Sequence, residues 1–310
     1  LTRRAGSTTE AALRWIDQHD SKPFFLFVHY FDPHLRYDPP LPFRRRFADV
    51  RDVDSDDYIF GTVNDMVNLR QGLVKLDPDK IARLEKLHNG EIAYTDAEVG
   101  KLLDGISERN LNAGTIIVIT ADHGEEFYDH KGFEHGHTLY DELLHIPLII
   151  RAPGPKFMQT DIDVQQARGL SVRTIVRQID IAPTLCELTG IQPDPGFMGE
   201  SLVSLLKGRK GKDRAVLSQG NMWGPSGNSW RKDGFKLIQQ SSKGPLQLFD
   251  IKADSREQNN LATELPHLRD KMTADLHLIL QTVSRQHSPG QAPILSEHEI
   301  ERLRSLGYVK

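Results

Sequence analysis

The sequence predicts an α/β protein: a core with a mostly parallel central sheet flanked by helices, plus a small C-terminal antiparallel sheet and helix. Two observations carry this. Apolar runs of strand length ("PFFLFVHY", "TIIVIT", "HIPLIIRAPG") alternate with helical patterns, the order that builds a parallel sheet with helices packed on it. Past about residue 210 the texture changes to short strand-like runs separated by "DG" and "SSKG", which are hairpin signals. The predicted division is residues 1–208 for the core and 209–310 for the appendage.

In chain order, "STTEAALRWIDQHD" opens with a cap-type Ser/Thr cluster and puts Ala12, Trp15, Ile16 and His19 on one helical face. Pro23 opens the first strand, and "FDPHLRYDPPLPF" is proline-rich irregular chain. Residues 44–77 carry "RRR", the acidic "DVDSDD" and no clear period. They read as a surface excursion with a short helix near "VNDMVNLRQGL", both charge clusters being solvated loop. Asp77-Pro78 is a helix start, a cap followed by proline at the first helical position. The helical pattern then runs from Ile81 to Ile106, with Gly90 and Gly100 as points where it can bend. "NLNAGT" is the turn into "TIIVIT", and Asp180 caps "IAPTLCELTG", which Gly190 closes. "RAVLSQ", "SWRKDGFKLIQQ" and "GPLQLFDI" are the short strands of the appendage. A polar helix near 263–286 and the segment "SEHEIERLRSLGYV" end the chain.

Composition narrows the function. A chain of 310 residues holds one large domain, or a core with an appendage. A net charge of −4 gives no global basic field for nucleic acid. The single cysteine, Cys186, excludes an internal disulfide and any CxxC site; its apolar helical setting reads as a buried core thiol. No apolar run approaches the ~18 residues of a membrane helix. No signal peptide is visible and the chain starts at Leu1, which reads as a piece of a longer polypeptide.

The chemistry concentrates in "ADHGEEFYDHKGFEHGH", residues 121–137, directly after "TIIVIT". In an open α/β sheet, ligands bind beyond the carboxyl ends of the strands. Asp122 and His123 stand at such an end, and a carboxylate beside an imidazole suits a divalent cation. Taken alone, the pair reads as a turn cap and a surface histidine, since metal sites need several convergent ligands. Gly124 permits the sharp turn that aims both side chains one way. His135 and His137 in "EHGHTLYDE" can ligate, hold an anion or give a proton to a leaving group. His34 follows the first strand, and reaches the rim of Asp122 if the two strands are neighbours. The acids Glu125, Glu126, Asp129 and Glu134 can orient or charge these histidines, with solvated surface as the reading for most. Three clusters, each just past a predicted core strand, point to one site.

"ADHGEEFYDHKGFEHGHTLYDELLHIPLIIRAPG" resembles the sulfatase signature region of the alkaline phosphatase superfamily. "PFFLFVHYFDPHLRYDPP", "GEIAYTDAEVGKLLDGI", "QIDIAPTLCELTGI", "LQLFDIKADSREQNNLA" and the final "LRSLGYV" are similar to further segments of that family, so the likeness omits little beyond residues 44–77. The resemblance implies an alkaline-phosphatase-like core, Asp122 and His123 as metal ligands, and His34 as a contact to the sulfate or phosphate. His135 fits the "HG-x-TLY" form of a related branch, with His137 its close competitor. Two departures stand out. His-Gly-His replaces the lysine that many sulfatases carry before "TLY", which leaves phosphate esters open. The nucleophile motif Cys/Ser-x-Pro-x-Arg and an N-terminal Asp-Asp metal pair are both absent.

The resemblance therefore implies the C-terminal part of a longer sulfatase-like metallohydrolase, inactive as residues 1–310 alone. Its alternatives are a phosphomonoester or phosphodiester hydrolase, a phosphoglycerol-type transferase, and a non-catalytic ligand- or partner-binding homologue. The implied cofactor is one divalent metal ion, calcium first, with magnesium, manganese or zinc as substitutes. The implied partners are an anionic small-molecule or sugar ester substrate, and a second copy of the chain or a missing N-terminal segment; no nucleic acid and no membrane span are expected. The expected location is the periplasm or outside the cell, with the cytoplasm as the alternative.

Overall fold

The computed structural model describes residues 3–47, 63–70, 73–153, 169–220, 226–241, 244–286, 295–297 and 300. Helix α1 (Ala5–His19) starts ahead of the Ser/Thr cluster and has no side-chain cap. Thr9 of that cluster turns inward instead, donating to the Glu98 carbonyl at 3.2 Å and lying 2.8 Å from the Tyr30 hydroxyl. Ala12 and Ile16 pack on Leu102 and Ile106 of the long helix α4 (Pro78–Glu108). Short α2 (Leu41–Phe47) also packs on α4, and α3 (Val63–Arg70) falls where a short helix was expected. The acidic "DVDSDD" cluster and the terminal "LRSLGYV" lie outside the described residues.

Helix α4 (Pro78–Glu108) begins as the sequence predicts: the Asp77 carboxylate accepts the Lys80 N–H at 2.8 Å, with proline at the helix start. It runs through Gly90 and Gly100 as one helix. Gly90 serves close approach, since a Cβ there would lie 2.9 Å from the Pro39 ring.

Strand β1 (Ile117–Thr120) feeds a loop bearing the two-residue strands β2 (Glu126–Phe127) and β3 (Phe133–Glu134), then α5 (Asp141–Leu144) and β4 (Leu148–Arg151). β1 and β4 pair antiparallel, with Ile119 opposite Ile149. Every pairing among the described strands is antiparallel, β1–β4 being the core pair among them. The connection after β1 doubles back through a hairpin and one helical turn, so β4 returns alongside it without a crossover helix. The "PFFLFVH" segment is extended, but it has no strand partner among the described residues. Phe24, Leu26 and Val28 face the α1/α4 core, while Phe25 and Phe27 are each 77% exposed. The α/β layering itself holds. Ile117 faces α1 and α4; Ile116 and Ile150 face Leu188 of α6 (Ile181–Thr189) and Val203 of α7 (Val203–Leu206).

Asp180 precedes α6, but its carboxylate does not cap that helix. It is fully buried and accepts the Arg177 and Glu200 N–H groups and pairs with the Arg177 and Arg214 guanidinium groups. Gly190, at φ 71°, closes α6 as predicted. Cys186 is half-buried, short of the core position expected.

The appendage is an antiparallel meander, β5 (Val216–Gln219), β6 (Asn228–Lys232), β7 (Phe235–Gln239) and β8 (Leu246–Asp250). Asp233 and Gly234, at φ 54° and 87°, make the predicted tight turn between β6 and β7. One face of the meander buries Trp230, Leu237 and Leu248 under Met272 and Leu276 of α8 (Pro266–Gln286). Ile238 and Phe249 pack with Leu139 and Tyr140, which seats the meander on the chain leading into α5. No described helix is long and apolar enough to cross a membrane.

Candidate functional site

The site is built on the loop that leaves β1. Gly124 donates its N–H to the Leu143 carbonyl at 2.9 Å, and a Cβ at 124 would lie 1.9 Å from the Glu142 carbonyl oxygen. Glycine is therefore needed for contact with α5; its φ is not left-handed, so the sharp-turn expectation gives way to close approach. Just ahead of it, the His123 Nδ1–H donates to the Gly124 carbonyl at 2.8 Å. A carbonyl only accepts, so the lone pair of the neutral ring sits on Nε2. That nitrogen lies 3.7 Å from Asp122 Oδ2.

His34 arrives from the far end of the extended segment. Its ring stacks on Phe31 at 4.4 Å, and its Nδ1–H donates to the Leu35 carbonyl at 2.8 Å. His135 enters from the loop after β3, and its ring stacks on His123 at 3.8 Å. His34 lies 5.1 Å from the His135 ring and 6.5 Å from that of His123. Asp122, His123, His34 and His135 thus converge, although they come from separate parts of the chain.

His137 is placed differently. Its Nε2 meets Glu126 at 2.7 Å, and Glu126 is fully buried. The same carboxylate accepts the N–H groups of His130 at 2.9 Å and Gly132 at 2.6 Å. His137 braces the β2–β3 loop, and of the two competing histidines it is His135 that joins the cluster. Gly132 leaves room for this brace: a Cβ there would lie 2.2 Å from His137 Nε2.

Charge follows from these contacts. Burial pulls the pKa of His34 below its ordinary value. Burial acts the same way on His135, but the hydrogen bond and charge of Glu125 outweigh it and leave its pKa raised. On Glu125, burial is overcome by His135 and by the Tyr37 hydroxyl, so its pKa is lowered. Glu126 is lowered likewise, burial being overcome by His137 and the two backbone N–H groups.

Sequence reasoning put most of the acids on the surface. Asp129 is exposed there, whereas Glu126 and Glu134 are buried and the Glu125 side chain is only 6% exposed. Tyr37, which holds Glu125 at 2.9 Å, lies in irregular proline-rich chain where no periodicity marks it. His130 was also missed: its Nδ1 lies 2.7 Å from Glu142, and its Nε2–H donates to the Glu257 carbonyl at 3.0 Å.

Asp122 and His123 suit a divalent cation by donor chemistry, and the His123 tautomer is the one a ligand needs. No set of three or more His, Cys, Asp or Glu among the described residues is placed to hold a cation. A cleft of about 600 Å³ lined by Pro183, Ile191 and Phe197 shares no residue with the cluster and has no histidine in its wall.

A family model described as sulfatase matches residues 5–191, and one described as N-sulphoglucosamine sulphohydrolase, C-terminal, matches residues 128–286. The chain is 27% identical over 218 residues to arylsulfatase K of Mus musculus, covering 66% of this chain and 37% of that protein. It is 26% identical over 253 residues to an arylsulfatase of Clostridium perfringens (strain 13 / Type A), covering 78% and 50%. Among solved structures, a protein in complex with its substrate D-glucosamine-2-N,6-O-disulfate matches with a TM-score of 0.70 at 19% identity, over 93% of this chain and 70% of that one. The phosphonate monoester hydrolase of Agrobacterium radiobacter matches with a TM-score of 0.70 at 21% identity, over 90% and 60%. The chain therefore spans about a third to a half of the length of these curated relatives.

Proposed function

The chain belongs to the sulfatase family, and on that premise we propose that it carries one side of the active site of a metal-dependent sulfuric ester hydrolase. The observation that carries this is the convergence of Asp122, His123, His34 and His135, with each of the three rings tethered through Nδ1. Such tethering leaves the three Nε2 atoms for ligand and substrate.

Asp122 and His123 would hold part of the shell of one divalent cation, calcium first and magnesium, manganese or zinc as substitutes. When bound, the cation supplies charge stabilisation at the ester oxygens and activation of the nucleophile. His135 has a carboxylate at Nδ1, which suits an imidazolium. Its Nε2–H donates to a non-bridging oxygen or passes its proton to the leaving oxygen. His34 is tethered by a neutral carbonyl and needs a nearby anion to raise its pKa before its Nε2 can donate. His137 stays with Glu126 and takes no part in the chemistry.

The substrate class is a sulfate ester of a sugar or another small molecule. A phosphate or phosphonate monoester is the second reading, favoured by one observation: His-Gly-His at 135–137 in place of a lysine. We further propose that the chain is the C-terminal part of a longer exported protein. Its partners would be strands from outside residues 1–310 that pair with the extended "PFFLFVH" segment and β1. The exposed Phe25 and Phe27, and Ile149 at 59% exposure, support this. Residues 1–208 would be the core portion and 209–310 a subdomain, as the separate apolar cluster under α8 suggests.

The test is to assay the longer protein on aryl sulfate and aryl phosphate esters with each cation added. Metal-dependent turnover that favours sulfate is expected. Turnover that favours phosphate replaces this reading with the second, and turnover of neither leaves a ligand-binding homologue.

A further inference from the structure

His34 and His123 are tethered by carbonyls of neighbouring residues, Leu35 and Gly124, so the local backbone sets both rings. His135 has no such support. Its Nδ1–H donates at 3.0 Å to Glu125, a side chain ten positions away in sequence. A carboxylate on a flexible stem orients a ring only if its second oxygen is held as well. Tyr37 does this, donating its hydroxyl to Glu125 Oε2 at 2.9 Å. Tyr37 is 3% exposed, with its ring 5.1 Å from His88 and 5.9 Å from Phe127. Burial and the Glu125 charge keep its phenol protonated, so it remains a donor.

We propose that Glu125, held by Tyr37, is the positioning residue that fixes the tautomer and the in-plane orientation of His135. This rests on the reading of His135 as a substrate contact. Stacking on His123, with 23° between the ring planes, fixes the plane of the ring but not which edge faces which way. A half-turn of the ring would bring carbon to Glu125 and swing Nε2 away from its place. The Nδ1–H···Glu125 bond forbids that turn and leaves Nε2 as the nitrogen offered to the ester.

Three variants of the longer protein test this: Glu125→Ala, Glu125→Gln and Tyr37→Phe. The glutamine keeps an acceptor for Nδ1–H and turns an N–H toward the Tyr37 oxygen. Glu125→Ala should lower kcat on an aryl ester about 10- to 100-fold with little change in KM. Glu125→Gln should recover most of that loss, and Tyr37→Phe should show a smaller loss in the same direction. Ring ¹⁵N spectra, recorded where the histidines are neutral, should show the Nδ1–H form for His135 in the parent and in Glu125→Gln. That form should be lost in Glu125→Ala while His34 and His123 keep theirs. A parent His135 protonated at Nε2 alone would overturn the proposal; so would an unchanged kcat in Glu125→Ala, or Glu125→Gln as slow as Glu125→Ala with its tautomer intact. If Glu125→Ala does not fold, the other two variants still decide. If the parent turns over no ester, the sulfatase reading fails, and the ring spectra still decide the positioning.

Discussion

A methyl group at position 124 has nowhere to go, because the Glu142 carbonyl oxygen would sit 1.9 Å from it. Gly124→Ala must push the Asp122–His123 loop off α5, at about 1–3 kcal/mol of stability. A urea midpoint unchanged from the parent would show that the contact is not tight. The sequence marks this glycine as a turn, but not the helix it touches, because the contact is between backbones distant in the chain. Glu126 is the clearer miss. It reads as one acid among several, yet it is buried and gathers His137 and two backbone N–H groups. No local pattern separates a buried acid from a solvated one; the loop that folds around it does. Its folded pKa is depressed, since those donors outweigh burial. Its contribution to stability is therefore present above the unfolded value near 4.5 and lost as the pH falls through the folded one. Glu126→Gln should cost stability at pH 7 and flatten the acid limb of the stability curve, as urea unfolding across pH 3–7 would register.

Helix α4 was legible at the level of the element because several signals agree: the Asp-Pro start, the sustained apolar face and the length. What it carries inward was not. Glu91 is buried on its core side, accepting the Asp38 N–H at 2.9 Å with Arg4 at 3.5 Å. Burial pushes its pKa up to about 7. For a raised carboxyl, the contribution is full below the unfolded value near 4.5 and lost as the pH rises through about 7. Stability from this group therefore declines between pH 5 and 8, opposite to the trend from Glu126. Glu91→Gln should remove that decline and raise stability at pH 8 by on the order of 1–3 kcal/mol. An equal loss at pH 5 and pH 8 would instead mark Glu91 as a charged anchor for Arg4. The β6–β7 hairpin was legible for a local reason, since Asp233 and Gly234 supply the positive φ values the turn needs. The "PFFLFVH" segment alternates as a strand does but has no strand partner among the described residues, because alternation describes one chain, while pairing needs a neighbour.

For the whole molecule, the α/β class could be read from the order of apolar runs, as could the crowding of histidines and acids beyond β1. The antiparallel return of β4 could not, because the hairpin and α5 between the strands turn the chain around without a periodic signature. Which of His135 and His137 faces the cluster was also undecidable from spacing; buried Glu126 claims one and Glu125 the other. Residues 1–310 alone, with Phe25 and Phe27 exposed, should bind cations weakly and self-associate. Tight one-to-one metal binding by calorimetry would contradict that account. The central claim is that Asp122 is a metal ligand and His34 a substrate contact in one site. The most direct measurement compares aryl sulfate turnover and bound metal in the parent longer protein, Asp122→Ala and His34→Ala. Loss of both metal and turnover in Asp122→Ala is predicted, with His34→Ala keeping its metal and turning over slowly. An Asp122→Ala protein that stays active, or residues 1–310 alone turning over ester with metal added, would contradict it.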